Sequence, residues 1–296
     1  MKKSQLQLLI MLCFAVAAVI TFSRLQNQGR NTKPQHGRPD KIVSLSPNLT
    51  EILFELGLDE KIAAVSNDSD YPPQAAKKKK VGTFWQPNTE AIIACKPDLV
   101  VAESFEQQKA VTESLKKLGY EVLSLKIEKI EELFAAIEKI GAATGRSPQA
   151  AELIENIRLR LDYIRSKSAS SGKVKVLWVI QQEPLRAAGR KTFINELIEL
   201  AGGENAISDT IQQYPPISAE ELIGSGVEVI IQSAMGTDVA NEQKNAEAFW
   251  SKWQNLPAVK NHRIYVIEPD TILRLGPRLP QGAETLARCI AANNSN

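Results

Sequence analysis

Short aliphatic runs and longer segments with apolar residues every third or fourth position alternate along this chain. Lys41–Ser46, Ile62–Ser66, Leu99–Glu103, Glu121–Leu125, Val174–Ile180, Val227–Ser233 and Arg263–Ile267 read as strands. After the first of these, Pro47-Asn48 turns into a helix capped by Asn48 or Thr50 and stopped at Gly57. Asn67–Pro73, rich in Asn, Asp, Ser and Pro, is a loop. Further helices are predicted around Gln107–Leu118, over Lys129–Gly141, over Thr192–Ala201 before Gly202-Gly203, near Ala246–Trp253, and from Gln281 onward. Strand and helix in alternation specify parallel sheets covered by helices.

One helix stands apart. Ser147 followed by Pro148 is a strong start signal, and Leu153, Ile154, Ile157, Leu161 and Ile164 then form a single apolar stripe. Roughly 20 residues at 1.5 Å each make a rod about 30 Å long, ending at the Ser- and Gly-rich stretch Ser166–Gly172. It is expected to be a rigid strut over 146–170, joining an N-terminal α/β lobe at 41–145 to a C-terminal α/β lobe at 171–296. The expected fold class is therefore α/β, with two Rossmann-like lobes of parallel-rich sheet, one long connecting helix and a ligand cleft between the lobes.

The lobes share a repeat. Phe84–Val101 (FWQPNTEAIIACKPDLVV) and Tyr214–Ile231 (YPPISAEELIGSGVEVII) run in step, 130 positions apart. Phe84 answers Tyr214, Glu90 answers Glu220, and Asp98 before three aliphatics answers Glu228 before three aliphatics. In each copy a hydroxyl residue, Thr89 or Ser218, is placed to cap a short helix. A repeat used only twice suggests two facing lobes, each giving an aromatic to a shared cleft and a glutamate to its rim. Exposure near a helix start explains either glutamate alone. It does not explain why both lobes keep one at the same step.

Composition narrows the function. The 296 residues, 43% hydrophobic, suffice for two ordinary cores. A net charge of +2 gives no argument for nucleic acid, and the one basic run, Lys77–Lys80, reads as a solvated loop. Lys2 and Lys3 precede an apolar run of 15 residues, Leu8–Phe22. That pattern is a signal peptide or N-terminal anchor over 1–25, followed by a flexible leader over 26–40. It predicts an exported protein, free or anchored to the membrane. Ile10-Met11-Leu12 lacks the small residue that would make Cys13 a lipidation site. Cys95 and Cys289 fall in different lobes, and two separate thiols are expected there.

Familiar catalytic chemistry is missing. The two histidines, His36 and His262, lie in the leader and in a turn, so they form no cluster with carboxylates for a metal. There is no G-x-S-x-G, no G-x-x-x-x-G-K-[ST] and no G-x-G-x-x-G after a strand. What stands at strand ends and loops is Asp68, Phe84, Trp85, Tyr214, Asp270 and Arg274. Parallel sheets bind ligands beyond the carboxyl ends of their strands. Aromatic faces there suit a large, flat ligand, and Asp270 with Arg274 supplies an acceptor and a forked donor. A local i,i+4 ion pair explains that last couple equally well.

Several stretches resemble the periplasmic vitamin B12-binding proteins of ABC importers and, more broadly, the helix-strut class of substrate-binding proteins that also serves siderophores and haem. These are Ser44-Leu45-Ser46-Pro47 with Thr50-Glu51, Ser69-Asp70-Tyr71-Pro72-Pro73-Gln74-Ala75, Asn88–Glu90, Lys96-Pro97-Asp98-Leu99-Val100, Gly202-Gly203-Glu204-Asn205, Ser218–Glu220 and Asp270 through Arg274 to Pro277-Arg278. The likeness covers residues 41 to about 291. It implies that Phe84 or Trp85 lies against a corrin, that Tyr214 is a second cleft aromatic, and that Asp270 to Arg274 bond the corrin amides. It also implies that Glu90 and Glu220 dock on the two subunits of an ABC permease dimer. Cobalamin or a related corrinoid would be cargo; no cofactor, metal, catalysis or nucleic acid is implied, and the chain would act as a monomer. Three positions depart from the family pattern. Asp68 stands where a ligand-contacting tyrosine is expected, Arg186 where an aromatic is expected, and Ala201 in place of a cysteine that would pair with Cys289. A siderophore or haem carrier is the alternative, with Tyr71 and Tyr214 as candidate iron ligands. A corrinoid- or chelate-modifying enzyme is a further one.

Overall fold

The computed structural model of the protein describes residues 38–168, 172–236 and 238–291; the expected signal or anchor and the leader up to residue 37 lie outside them. In the first lobe β1 (Ile42–Ser44), β2 (Ile62–Val65), β3 (Lys79–Lys80), β4 (Leu99–Glu103) and β5 (Val122–Leu125) form a sheet in the order β3-β2-β1-β4-β5. Every pairing is parallel, with Ile42 opposite both Ile62 and Leu99, and Val100 opposite Val122. Ile42, Val43, Val100 and Val101 are fully buried, as expected for a sheet covered on both faces. The helices of this lobe are α1 (Pro47–Glu55), α2 (Pro73–Ala76), α3 (Thr89–Ala94), α4 (Glu106–Lys117) and α5 (Ile130–Thr144).

The second lobe centres on β6 (Val174–Gln181). It pairs in parallel with β8 (Gly203–Asn205) and β9 (Val229–Ser233), and antiparallel with β7 (Arg186–Ala187); β10 (Ile264–Ile267) extends the sheet beyond β9. Its helices are α7 (Phe193–Leu200), α8 (Ala219–Ser225), α9 (Val239–Trp250), α10 (Pro257–Lys260) and α11 (Leu279–Ala291). Between the sheets runs α6 (Ser147–Ser168), 22 residues long. Ile157, Leu161 and Ile164 are buried, and Leu153 and Ile154 pack against the same core. That core continues through Ile137 of α5, Ile194 and Leu197 of α7, and Leu286 of α11, so the strut is cemented into both lobes.

The repeat has a structural basis. Asp98 Oδ2 accepts hydrogen bonds from the Asp40 and Lys41 amides at 3.0 and 2.9 Å, just before β1. Glu228 Oε2 accepts from the Lys175 amide at 2.9 Å, at the start of β6. Each acid therefore fastens the central strand of its own lobe to the strand that follows it. The short helices α3 and α8 start at equivalent steps, and Ser218 caps α8 through the Glu221 amide at 3.1 Å.

Local expectations are corrected at three places. Asn88, not Thr89, caps α3, accepting from the Ala91 amide at 2.9 Å. Its extended backbone puts the carboxamide within reach of the third helical N–H, a position one residue too late for Thr89. Neither Asn48 nor Thr50 caps α1, whose N-cap is Ser46; the Thr50 hydroxyl instead bonds Ser44 Oγ and Ser46 O. Finally, the lysine run is not a solvated loop throughout. Lys79–Lys80 is the edge strand β3, and Lys80 Nζ folds back to donate to Ser69 O at 2.6 Å and Ser66 O at 3.3 Å. Long stems allow lysines to line a half-buried edge while the ammonium finds carbonyls. Cys95 and Cys289 are both free thiols, and burial pushes the Cys289 thiol up from its ordinary value.

Candidate functional site

The carboxyl ends of β1, β2 and β4 give rise to the segments that form the site. After β2 and β3 the chain passes Gly82, whose φ of +99° favours glycine, and where a Cβ would lie 2.6 Å from both Gln86 O and Asn88 N. This tight return, closed by a bridge between Gly82 and Pro87, projects Phe84 and Trp85. Asp68 Oδ2 accepts from the Phe84 amide at 2.5 Å, and Gln108 Nε2 donates to the Phe84 carbonyl at 3.0 Å. Gln108 is fully buried, donates also to Leu45 O at 3.0 Å, and accepts from the Glu103 amide at 3.1 Å. One side chain thus ties the aromatic loop to the ends of β1 and β4.

Phe84, Trp85 and Phe105 form an aromatic cluster, with ring centroids 4.7 to 5.6 Å apart. Trp85 remains 58% exposed. An indole face held by two neighbouring rings but open to solvent is preorganised for stacking on a flat guest.

A cavity of about 300 Å³ lies beneath this cluster. The first lobe contributes Asn48, Asp68, Phe84, Trp85 and Glu103; the second contributes Phe193, Leu273 and Arg274. It is an inter-lobe cleft at the position expected for a ligand site in parallel sheets. Four of the six sequence candidates, Asp68, Phe84, Trp85 and Arg274, line it. Asp270 stands behind Arg274, at 3.1 Å. Tyr214 is not among the lining residues; it is 37% exposed, and its carbonyl accepts from Arg186 Nη1 at 2.8 Å. Burial, with the nearby negative charge of Glu128, pushes the Tyr214 phenol up from its ordinary value.

The segment between β10 and α11 crosses from the second lobe onto the first. Arg274 Nη1 bonds Asp70 at 2.6 Å, in addition to its local pairing with Asp270. Although burial raises it, the Asp70 carboxyl is held below its ordinary range by the hydrogen bond and charge of Arg274. One turn on, Arg278 makes a two-pronged ion pair with Glu51 at 2.9 and 2.6 Å and lies 3.9 Å over the Tyr71 ring. Asn48 Nδ2 adds a bond to Leu275 O at 3.2 Å. Asp270 and Arg274 are therefore both a local ion pair and part of a clasp between the lobes.

Sequence reading missed Glu103, the last residue of β4. It carries no ion pair among the described residues, and burial pushes its carboxyl up to about 7 against the pull of Asn48. A lone carboxylate at the carboxyl end of a wholly apolar strand was the signal available for it. Glu51 and Gln108 were missed as well. Glu90 and Glu220 occupy the first turns of α3 and α8, exposed and without ion pairs among the described residues.

The periplasmic binding protein family matches residues 42–271. The chain is 31% identical over 278 residues to an uncharacterized ABC transporter substrate-binding lipoprotein, YvrC, of Bacillus subtilis, covering 92% of this chain and 85% of that one. It is 29% identical over 242 residues to a vitamin B12-binding protein of Vibrio parahaemolyticus, covering 81% and 85%. Among solved structures, it superposes with a TM-score of 0.77 on a possible iron-binding, periplasmic solute-binding protein of Staphylococcus epidermidis, at 30% identity, covering 86% of this chain and 99% of that one. The chain belongs to the periplasmic binding protein family and is a substrate-binding protein of the ABC importer class.

Proposed function

We propose that the protein captures cobalamin or a related corrinoid in the inter-lobe cleft and delivers it to an ABC importer, binding its cargo without chemical change. The observation that carries this reading is the aromatic cluster of Phe84, Trp85 and Phe105, whose first two members line the same cavity as the Arg274 guanidinium. A macrocycle with amide substituents suits that pair of surfaces, with one face against the indole and its amide carbonyls toward Arg274, which Asp270 holds from behind. The likeness to a vitamin B12-binding protein supports the same guest.

The second reading is a haem or siderophore carrier, favoured by the likeness to a possible iron-binding protein. The site supports haem less well. Haem iron takes an axial His, Tyr, Cys or Met, and none of these types lines the cavity among the described residues. Of the two tyrosines singled out by sequence, Tyr71 lies under Arg278 and Tyr214 is outside the lining. Titration of purified protein with cyanocobalamin, haem and a ferric hydroxamate, followed by visible absorbance, separates the readings. Saturation by cyanocobalamin with haem and the hydroxamate silent is the expected result. Saturation by either iron compound and not by the corrinoid would replace the reading.

Delivery requires a docking surface. We assign it to Glu90 and Glu220, which project from equivalent first turns of α3 and α8. Rim charges act chiefly on encounter and register. Replacing both with Ala is expected to leave corrinoid affinity unchanged and to lower uptake by about tenfold or more in reconstituted vesicles containing the importer. Uptake at the wild-type rate would remove these residues from the docking surface.

A further inference from the structure

We propose that Glu103 is a specificity-determining residue of the cleft: its carboxylate accepts a hydrogen bond or charge contact from a guest bearing amide N–H groups or net positive charge, and disfavours guests that present carboxylates. This rests on the corrinoid reading and extends it to the electrostatic class of the ligand.

The geometry carries it. Glu103 ends β4 and lines the cavity, and its backbone is fixed by Gln108. Asn48, from α1, faces its carboxyl. The other charged groups lining the cavity are Asp68, from the loop after β2, and Arg274, from the segment after β10. Arg274 is already engaged by Asp70 and Asp270, and no ion pair joins it to Glu103 among the described residues. Asp68 is itself an anion and can offer Glu103 no counter-charge. A guest that excludes water leaves this carboxylate with the Asn48 amide alone unless it brings a donor of its own. An amide edge or a cationic corrin brings one. A propionate brings a second negative charge instead, which a low-dielectric pocket opposes. Because burial holds the free carboxyl near 7, the acceptor form is a minority species in mild acid and dominant in mild base.

The test uses the full described protein, wild type and Glu103→Gln, titrated with aquocyanocobinamide (a cationic, amide-bearing corrinoid) and with haem. Cobinamide affinity of the wild type is expected to rise about tenfold between about pH 6 and about pH 8, in step with the ionised fraction of Glu103. The Gln variant, which keeps shape and hydrogen-bonding capacity, should show no such rise and should bind haem more tightly than wild type at the higher pH. A variant that keeps the wild-type pH profile for cobinamide overturns the role of Glu103 while leaving the corrinoid reading intact. Wild type that binds no corrinoid at either pH overturns that reading and this inference together. A purely structural role for Glu103 would lower affinity at both pH values alike, and that pattern also counts against the assignment.

Discussion

Arg278→Ala is expected to destabilise the protein by about 3–5 kcal/mol, because it strands a buried carboxylate. Glu51 is 2% exposed and its only cationic hydrogen-bond partner among the described residues is Arg278, itself 11% exposed. The two belong to different lobes, 227 positions apart, so the loss falls on the docking of the second lobe against α1. Arg278 also covers the Tyr71 ring, and truncation exposes that face. A fall of the thermal midpoint on the order of 10 °C follows from the usual unfolding entropy of chains this size. Calorimetry of the variant measures it. Pairing Glu51→Leu with Arg278→Met should restore most of the loss, since a buried ion pair exchanged for apolar residues of similar volume is often neutral or better. A single variant that melts with the wild type would show that the pair does not hold the lobes together.

Glu103→Gln should have the opposite sign, with an effect that grows from about pH 4.5 to about pH 7 and persists above it. The folded carboxyl titrates near 7, against an ordinary value of 4.5. Below the ordinary value it is protonated in both folded and unfolded chains and contributes nothing to pH dependence. Between the two values the unfolded chain ionises while the folded one retains its proton, so stability declines as pH rises. Well above 7 the full penalty, on the order of 3 kcal/mol, is present. Removing the charge therefore stabilises the ligand-free protein by about that amount at pH 8 and by little at pH 4. Urea unfolding of both proteins across this range gives the curve. Parallel curves for the two proteins would mean that Glu103 is solvated in solution.

Much of the architecture is written in local pattern. Ser147-Pro148 and the stripe from Leu153 to Ile164 announce α6 because start signals and apolar periodicity are properties of neighbouring residues. The matched stretches around Asp98 and Glu228 announce the two lobes because the same fastening is made twice. Phe84, Trp85 and Arg274 were legible because aromatic and charged residues stood out at strand ends. Strands β3, β7 and β8 were not, being only two or three residues long, too short to show an alternating pattern. Glu51, Gln108 and Arg278 carry polarity that in a sequence signifies surface. Only the fold reveals that each is buried against a partner 24 to 227 positions away. Tyr214 shows the reverse: the repeat places it as the twin of Phe84, yet it is not among the residues that line the cavity.

The two lobes are secured twice, by the packing of α6 into both and by the Asp270–Arg278 crossing. A jaw bolted twice resists swinging. Entry and exit of cargo must then be an affair of individual side chains, chiefly Trp85 and Leu273, which retain free surface at the mouth. In a receptor so fastened, the empty and loaded forms would share one spacing of the lobes and differ in how a few side chains are turned.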